Sequence, residues 1–212
     1  MAALDSHEEE QIESLKAWWK ENSNWVLGLV TVAVIVTGGW RGWQYYQHKQ
    51  SSESATLYQQ FAEQLASNDP KRINDAAAIL MDKYAATPYA AESALVAAQV
   101  NELTGEPLRT KTQLQWVIEH ASDEGLKSVA ALRMAAVRVD EKDYASAMKA
   151  LEGKHPAAFD ALYADMKGDI LSVQGKSAEA KTAYQQAYDK LDDKSPYRNL
   201  VQMKLDALGG SK

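Results

Sequence analysis

Four histidines and two aspartates are the side chains of this protein best equipped for proton transfer or metal binding, and their spacing decides what they do. His7, His48, His120 and His155 are scattered, with no Glu-x-x-His or His-Glu-x-x-His spacing to bring two ligands onto one helix face. Asp165 and Asp169 lie four apart, so on a helix they share a face and have the spacing of an acid/base pair. A general acid also needs a pocket that raises its pKa, and nothing in the flanking sequence signals one, so the pair reads as a solvated face of a binding groove. Cysteine is absent. That removes thiol catalysis, thiolate metal sites and disulfides, and it fits either side of a membrane. No glycine-rich loop follows a strand to cradle phosphates. The patterns assign no catalytic residue, no metal and no cofactor, and they point to recognition.

The elements that position these residues divide sharply. Residues 22–40 carry no charge, and at about 1.5 Å per residue such a helix reaches roughly 28 Å, close to the hydrocarbon thickness of a bilayer. Aromatic side chains suited to the headgroup level flank it, Trp18, Trp19 and Trp25 on one side and Trp40, Trp43, Tyr45 and Tyr46 on the other. A cleaved signal would want a basic leader and small residues at its exit. Here the leader holds Asp5, Glu8, Glu9, Glu10 and Glu13, and the exit reads Trp40, Arg41, Gly42, Trp43. The segment therefore reads as an uncleaved anchor in contact with membrane lipid. A buried core helix would carry a polar stripe. Gly38-x-x-x-Gly42 matches a membrane helix-packing motif but encloses Trp40 and Arg41 at the end of the span, and it reads as fortuitous. The charge rule leaves orientation open, because Lys16 and Lys20 before the span balance Arg41 and Lys49 after it.

Three parts follow: an acidic, amphipathic segment over residues 1–21, a transmembrane helix over 22–46, and a helical domain over 47–212. The whole chain has net charge -6, which gives no basic surface for nucleic acid. After Ser51 it is Ala-rich and punctuated by Asn68-Asp69-Pro70, Thr87-Pro88, Gly105-Glu106-Pro107, Asp123-Glu124-Gly125, Gly153 to Pro156, Gly175 and Ser195-Pro196. This spacing predicts about nine helices of ten to eighteen residues and no sheet.

A period appears when two stretches are aligned. Lys142 and Gly175 lie 33 apart, as do Ala147 and Ala180, near the roughly 34-residue period of tetratricopeptide repeats. One unit supplies Gly168, Gly175, Ala180, Tyr184 and Ala187; the other supplies Ala131, Ala135, Ala147 and Leu151, its second helix cut short by Gly153 and Pro156. A more divergent unit fits Ala94, Ala98, Gly105 and Leu114. Small residues at such places let helices of a pair approach closely, and the next pair covers what stays apolar. A generic helical bundle is the alternative, since Ala-rich helices also arise from propensity alone. Three units in phase favour an all-α solenoid.

The stretches EQIESLKAWWKEN, GGWRGWQYY, LKSVAALRMAAVRV, ADMKGDILSVQGKSAEAKTAYQQA and VQMK, in this order and spacing, resemble the YfgM-like ancillary subunits of the bacterial Sec translocon along nearly the whole chain. The resemblance implies an inner-membrane protein with a cytoplasmic N-terminus and a periplasmic tetratricopeptide-like domain. It also implies association with the SecYEG channel and with a membrane-anchored parvulin-type chaperone, so that translocating unfolded proteins pass to periplasmic folding factors. An adaptor for a cell-wall or division complex would share this fold and side of the membrane.

Solenoids of helix pairs present a concave face built from the first helix of each pair. With Gly168 as the eighth position of its unit, the groove-facing residues are Leu162, Asp165, Asp169 and Val173, preceded by Val129, Leu132, Ala136 and Val139. Such a groove is apolar and acidic, suited to a hydrophobic or basic segment. Packing against a neighbouring helix is the competing reading of the same residues.

Overall fold

Proline opens three of the helices at the first helical position, where its missing N–H costs nothing: Pro70 in α2 (Pro70–Lys83), Pro88 in α3 (Pro88–Leu103) and Pro107 in α4 (Pro107–His120). Aspartates cap others. Asp69 Oδ1 accepts the amide of Lys71 at 2.9 Å, and Asp123 Oδ1 accepts that of Leu126 at 2.8 Å, starting α5 (Glu124–Asp140). α6 (Tyr144–Ala150) follows cap Asp143 and stops after 7 residues; α7 (Asp160–Val173), α8 (Ser177–Lys190) and α9 (Tyr197–Ala207) follow. The first helix, α1, runs Ala2–Leu65. The structure, a computed structural model, describes residues 2–209, with side chains from residue 12 to 209; His7, Asp5, Glu8, Glu9 and Glu10 of the acidic leader lie outside the described side chains. Among the described residues there is no strand.

The chain divides into two units, Met1–Gln50 and Ser51–Lys212. In the first, the helix is apolar and exposed around its circumference, with Trp25, Leu29, Val32, Ile35, Val36 and Trp40 all more than half exposed. A helix apolar on every side needs an apolar solvent, and this one is long and apolar enough to cross a membrane. Its two threonines are satisfied within the helix, since the Thr31 and Thr37 hydroxyls donate to the carbonyls of Leu27 (2.8 Å) and Ala33 (2.6 Å).

The second unit has a segmented core. Phe61 from the end of α1 packs with Ile73, Leu80, Ala90 and Ala97 of α2 and α3. Ala94, Ala98, Leu114, Val117 and Met134 join α3, α4 and α5. Ala135, Ala147, Leu151, Tyr163 and Ile170 join α5, α6 and α7. Ala164, Ala180, Tyr184, Ala187, Val201 and Leu205 join α7, α8 and α9. Each cluster shares one helix with the next, so α3, α5 and α7 form the spine of stacked helix pairs.

The repeat is also written in the backbone. Gly105, Lys142 and Gly175 have φ of 75°, 61° and 77° and occupy the same place in the turns after α3, α5 and α7. In each turn the next residue's amide reaches back five residues: Glu106 to Asn101, Asp143 to Arg138 and Lys176 to Leu171, at 2.8, 2.8 and 3.0 Å. Lys142 is the non-glycine member of these three, and the left-handed region costs such a residue about 1 kcal/mol. Lys142→Gly is expected to raise stability by about that amount, seen as a higher urea midpoint with unchanged slope. A lower midpoint would mean that the lysine side chain contributes more than the strain removes.

Candidate partner-binding surface

The residues expected on the concave face lie on the spine helices α5 and α7. Val129, Leu132, Ala136 and Val139 on α5 are half-buried, as are Leu162 and Asp169 on α7; Val173 is exposed. Leu132 and Val139 pack against the α5–α7 cluster, and Val129 against the α3–α5 cluster. The residues expected at helix crossings, Ala135, Ala147, Gly168, Ala180, Tyr184 and Ala187, are buried.

Asp165 differs from expectation: it is 2% exposed and not solvated. Lys204 of α9 donates to both of its oxygens, Oδ1 at 2.9 Å and Oδ2 at 2.8 Å, and the Tyr197 hydroxyl donates to Oδ2 at 2.5 Å. The same ammonium meets Asp169 at 2.7 and 2.8 Å, and the Tyr184 hydroxyl of α8 donates to Asp169 Oδ1 at 2.7 Å. One cation and two phenols, brought from two other helices, thus fill the carboxylate pair. Burial, then the hydrogen bonds and charges of Asp165 and Asp169, push both phenols well above the usual tyrosine range and keep them neutral donors. For Lys204 burial works against the charge, but the two carboxylates outweigh it and hold the ammonium above the ordinary lysine value. Lone pairs so occupied have no room to move a proton to a substrate. The arrangement is an ionic lock between α7 and α9, and Asp165 is withdrawn from any outside partner.

A second buried polar network lies at the other end of the unit. Asn101 of α3, 1% exposed, exchanges amide hydrogen bonds with Asn74 of α2 (2.8 and 2.9 Å) and donates to Gln113 of α4 (2.7 Å). Gln113 in turn donates to Asn74 at 2.7 Å, so three helices are tied by side chains with mutually satisfied amides. Helical spacing alone does not reveal it, since Asn101 stands among the polar residues Gln99 and Glu102 at the end of α3. Among the described residues, no three His, Asp or Glu side chains converge as metal ligands.

Residues 16–210 match the family model described as a tetratricopeptide repeat-like domain. The chain is 30% identical, over 97% of its length and 99% of the relative's, to a protein of Neisseria gonorrhoeae named ancillary SecYEG translocon subunit. Proteins of the same name from Escherichia coli K12 and Haemophilus influenzae are 29% and 27% identical, over 95% and 87% of this chain and 97% and 90% of theirs.

Proposed function

This chain belongs to the family of ancillary SecYEG translocon subunits, with a tetratricopeptide repeat-like domain, and from that premise we propose that it is a non-catalytic adaptor at the Sec channel of the bacterial inner membrane. The observation that carries the reading is the pairing, in one chain, of a helix apolar on every side with a stack of helix pairs whose core is complete within itself. The first supplies attachment to the bilayer; the second supplies a scaffold for other proteins. In this reading residues 1–21 are cytoplasmic and residues 47–212 periplasmic. The span and its aromatic flanks meet SecYEG. The α5 and α7 face, centred on Leu132, Ala136, Leu162 and Val173, receives a translocating unfolded protein or a membrane-anchored parvulin-type chaperone. The withdrawal of Asp165 leaves that face more apolar than acidic, which favours hydrophobic segments.

Two measurements test the reading. Mild detergent extraction of the tagged full-length chain is expected to recover SecYEG in stoichiometric yield, and replacement of residues 22–46 by an unrelated span should abolish it. Recovery that survives the replacement would place the contact elsewhere. The chain has no cysteine of its own, so single cysteines report sidedness directly. Ser177→Cys is expected to react with an impermeant maleimide in cells with a permeabilised outer membrane, and Ser14→Cys to stay unlabelled until the inner membrane is opened. The reverse pattern would overturn the orientation.

A further inference from the structure

The spine helices share a register, and at one position α7 departs from it. Ser93 of α3, Ala130 of α5 and Tyr163 of α7 stand the same number of residues before the left-handed residue of their turns, at Gly105, Lys142 and Gly175. All three are buried, but the first two are small and the third is a large ring. The helix that precedes each accounts for the difference. α2 and α4, each of 14 residues, run before α3 and α5, and a full-length neighbour leaves room for a small side chain only. α6, before α7, stops after 7 residues, and the loop that follows it supplies the packing instead. His155 of that loop lies flat on Tyr163, with ring centroids 3.7 Å apart and planes 17° from parallel.

Both ring nitrogens of His155 face acceptors. Nε2 lies 3.2 Å from Asp160 Oδ1 at the start of α7, and Nδ1 lies 3.2 Å from the Gly153 carbonyl oxygen. A neutral imidazole has one N–H and one lone pair, so either tautomer leaves a lone pair against an oxygen. The imidazolium, with two N–H groups, satisfies both. The other charged groups leave this conflict in place. Lys190, in the last turn of α8, binds the second oxygen, Asp160 Oδ2. The hydrogen bond from Lys190, opposed by burial and reinforced by the charges of Lys190 and His155, holds the Asp160 carboxyl below the usual carboxylate range, so it stays an anion and an acceptor. Burial pushes the Tyr163 phenol up and keeps it neutral beneath the ring, where the Ser128 hydroxyl of α5 reaches it. On α5, Glu124 and Lys127 pair with each other at 2.8 Å, and in the loop Glu152 and Lys154 are exposed. The His155 side chain is 21% exposed, so protons reach it from solvent.

We propose that this loop is a proton-dependent joint between the α5–α6 and α7–α8 pairs, closed when His155 carries two ring protons and loosened when it carries one. Histidine is the side chain that changes charge between about pH 5 and 8. The sign follows from the count of N–H groups: the joint is complete at the acid end of that range and is lost as pH rises. α5 and α7 also carry the face assigned to a partner, so the joint regulates how its two halves stand together. That consequence rests on the adaptor reading; the joint itself does not.

Hydrogen exchange of the full-length chain in nanodiscs, read by mass spectrometry and corrected for the intrinsic rate at each pH, tests the joint. Protection of residues 151–163 is expected to be about tenfold higher at about pH 5.5 than at about pH 8, whereas α3, which has no histidine, should change little. His155→Gln should flatten the profile, since glutamine does not titrate. Asp160→Asn should flatten it too, because a carboxamide can turn its NH2 group toward the neutral ring. His120→Gln, on α4, should leave it intact. A flat profile in the parent would overturn the proposal, as would a pH dependence that survives either of the first two variants or vanishes in the third. Should His155→Gln fail to fold, the parent and Asp160→Asn decide it between them. Recovery of SecYEG by the parent chain bears on the adaptor reading alone.

Discussion

Lys204→Met is expected to remove roughly 3–5 kcal/mol from the stability of the second unit, the cost of leaving a buried carboxylate without its cation. The basis is Asp165, 2% exposed, which receives two of its three hydrogen bonds from the Lys204 ammonium. Adding Asp165→Asn should restore much of the loss, because an amide without charge needs no counter-ion. Urea unfolding followed by far-ultraviolet circular dichroism measures both variants. A single-variant loss below about 1 kcal/mol would mean that the lock behaves as a surface ion pair. The pH dependence has a fixed sign. Above about pH 10 the unfolded chain gives up its lysine and tyrosine protons, while folded Lys204, Tyr184 and Tyr197, all shifted upward, keep theirs. Their contribution is complete below that pH and is lost as pH climbs through the raised values. The alkaline fall in stability is expected to be shallower in Lys204→Met than in the parent.

Gly168→Ala should cost roughly 1–3 kcal/mol, although alanine is the better helix former by about 1 kcal/mol. A Cβ at this position would lie 2.4 Å from Cδ1 and Cε1 of Tyr184 and 3.0 Å from Cγ, so the clash involves the root of the ring and not a mobile tip. Tyr184 has nowhere to retreat, being 3% exposed and tied by its hydroxyl to Asp169 at 2.7 Å. Gly168→Ala combined with Tyr184→Leu is expected to recover part of the loss, as a smaller side chain yields the space. If Gly168→Ala alone were neutral or stabilising, the helices would separate without penalty and the close crossing of α7 and α8 would not be a constraint.

Much of the fold could be read before the structure because its rules are local. Pro70, Pro88 and Pro107 announce helix starts, and the Gly153 to Pro156 break ends α6 where the pattern stops. The spacing of 33 between Lys142 and Gly175 located two turns that share a left-handed residue, even though one of them is a lysine. What escaped is tertiary. Asp165 was assigned to a solvated face because the repeat period describes α7 and α8 but not α9, the helix that brings Lys204 and Tyr197 over it. The amide network of Asn74, Asn101 and Gln113 spans three helices, and no periodicity within one helix encodes it. The boundary expected between residues 46 and 47 lies inside α1, which no proline interrupts before Leu65, and the compact units divide between Gln50 and Ser51.

The ionic lock also has a consequence in time. The second unit is assembled from helices that pack on their neighbours in the chain, which keeps the loops to be closed short and lets assembly proceed pair by pair in the order of synthesis. α7 therefore acquires most of its surroundings while Asp165 still has no counter-ion, since Lys204 lies 39 residues further on. Until α9 docks, Asp165 lacks the cation that neutralises it; once it docks, Lys204 closes this end of α7. A chain truncated before α9 is thus expected to keep Asp165 without its cation and to leave this end of α7 uncovered.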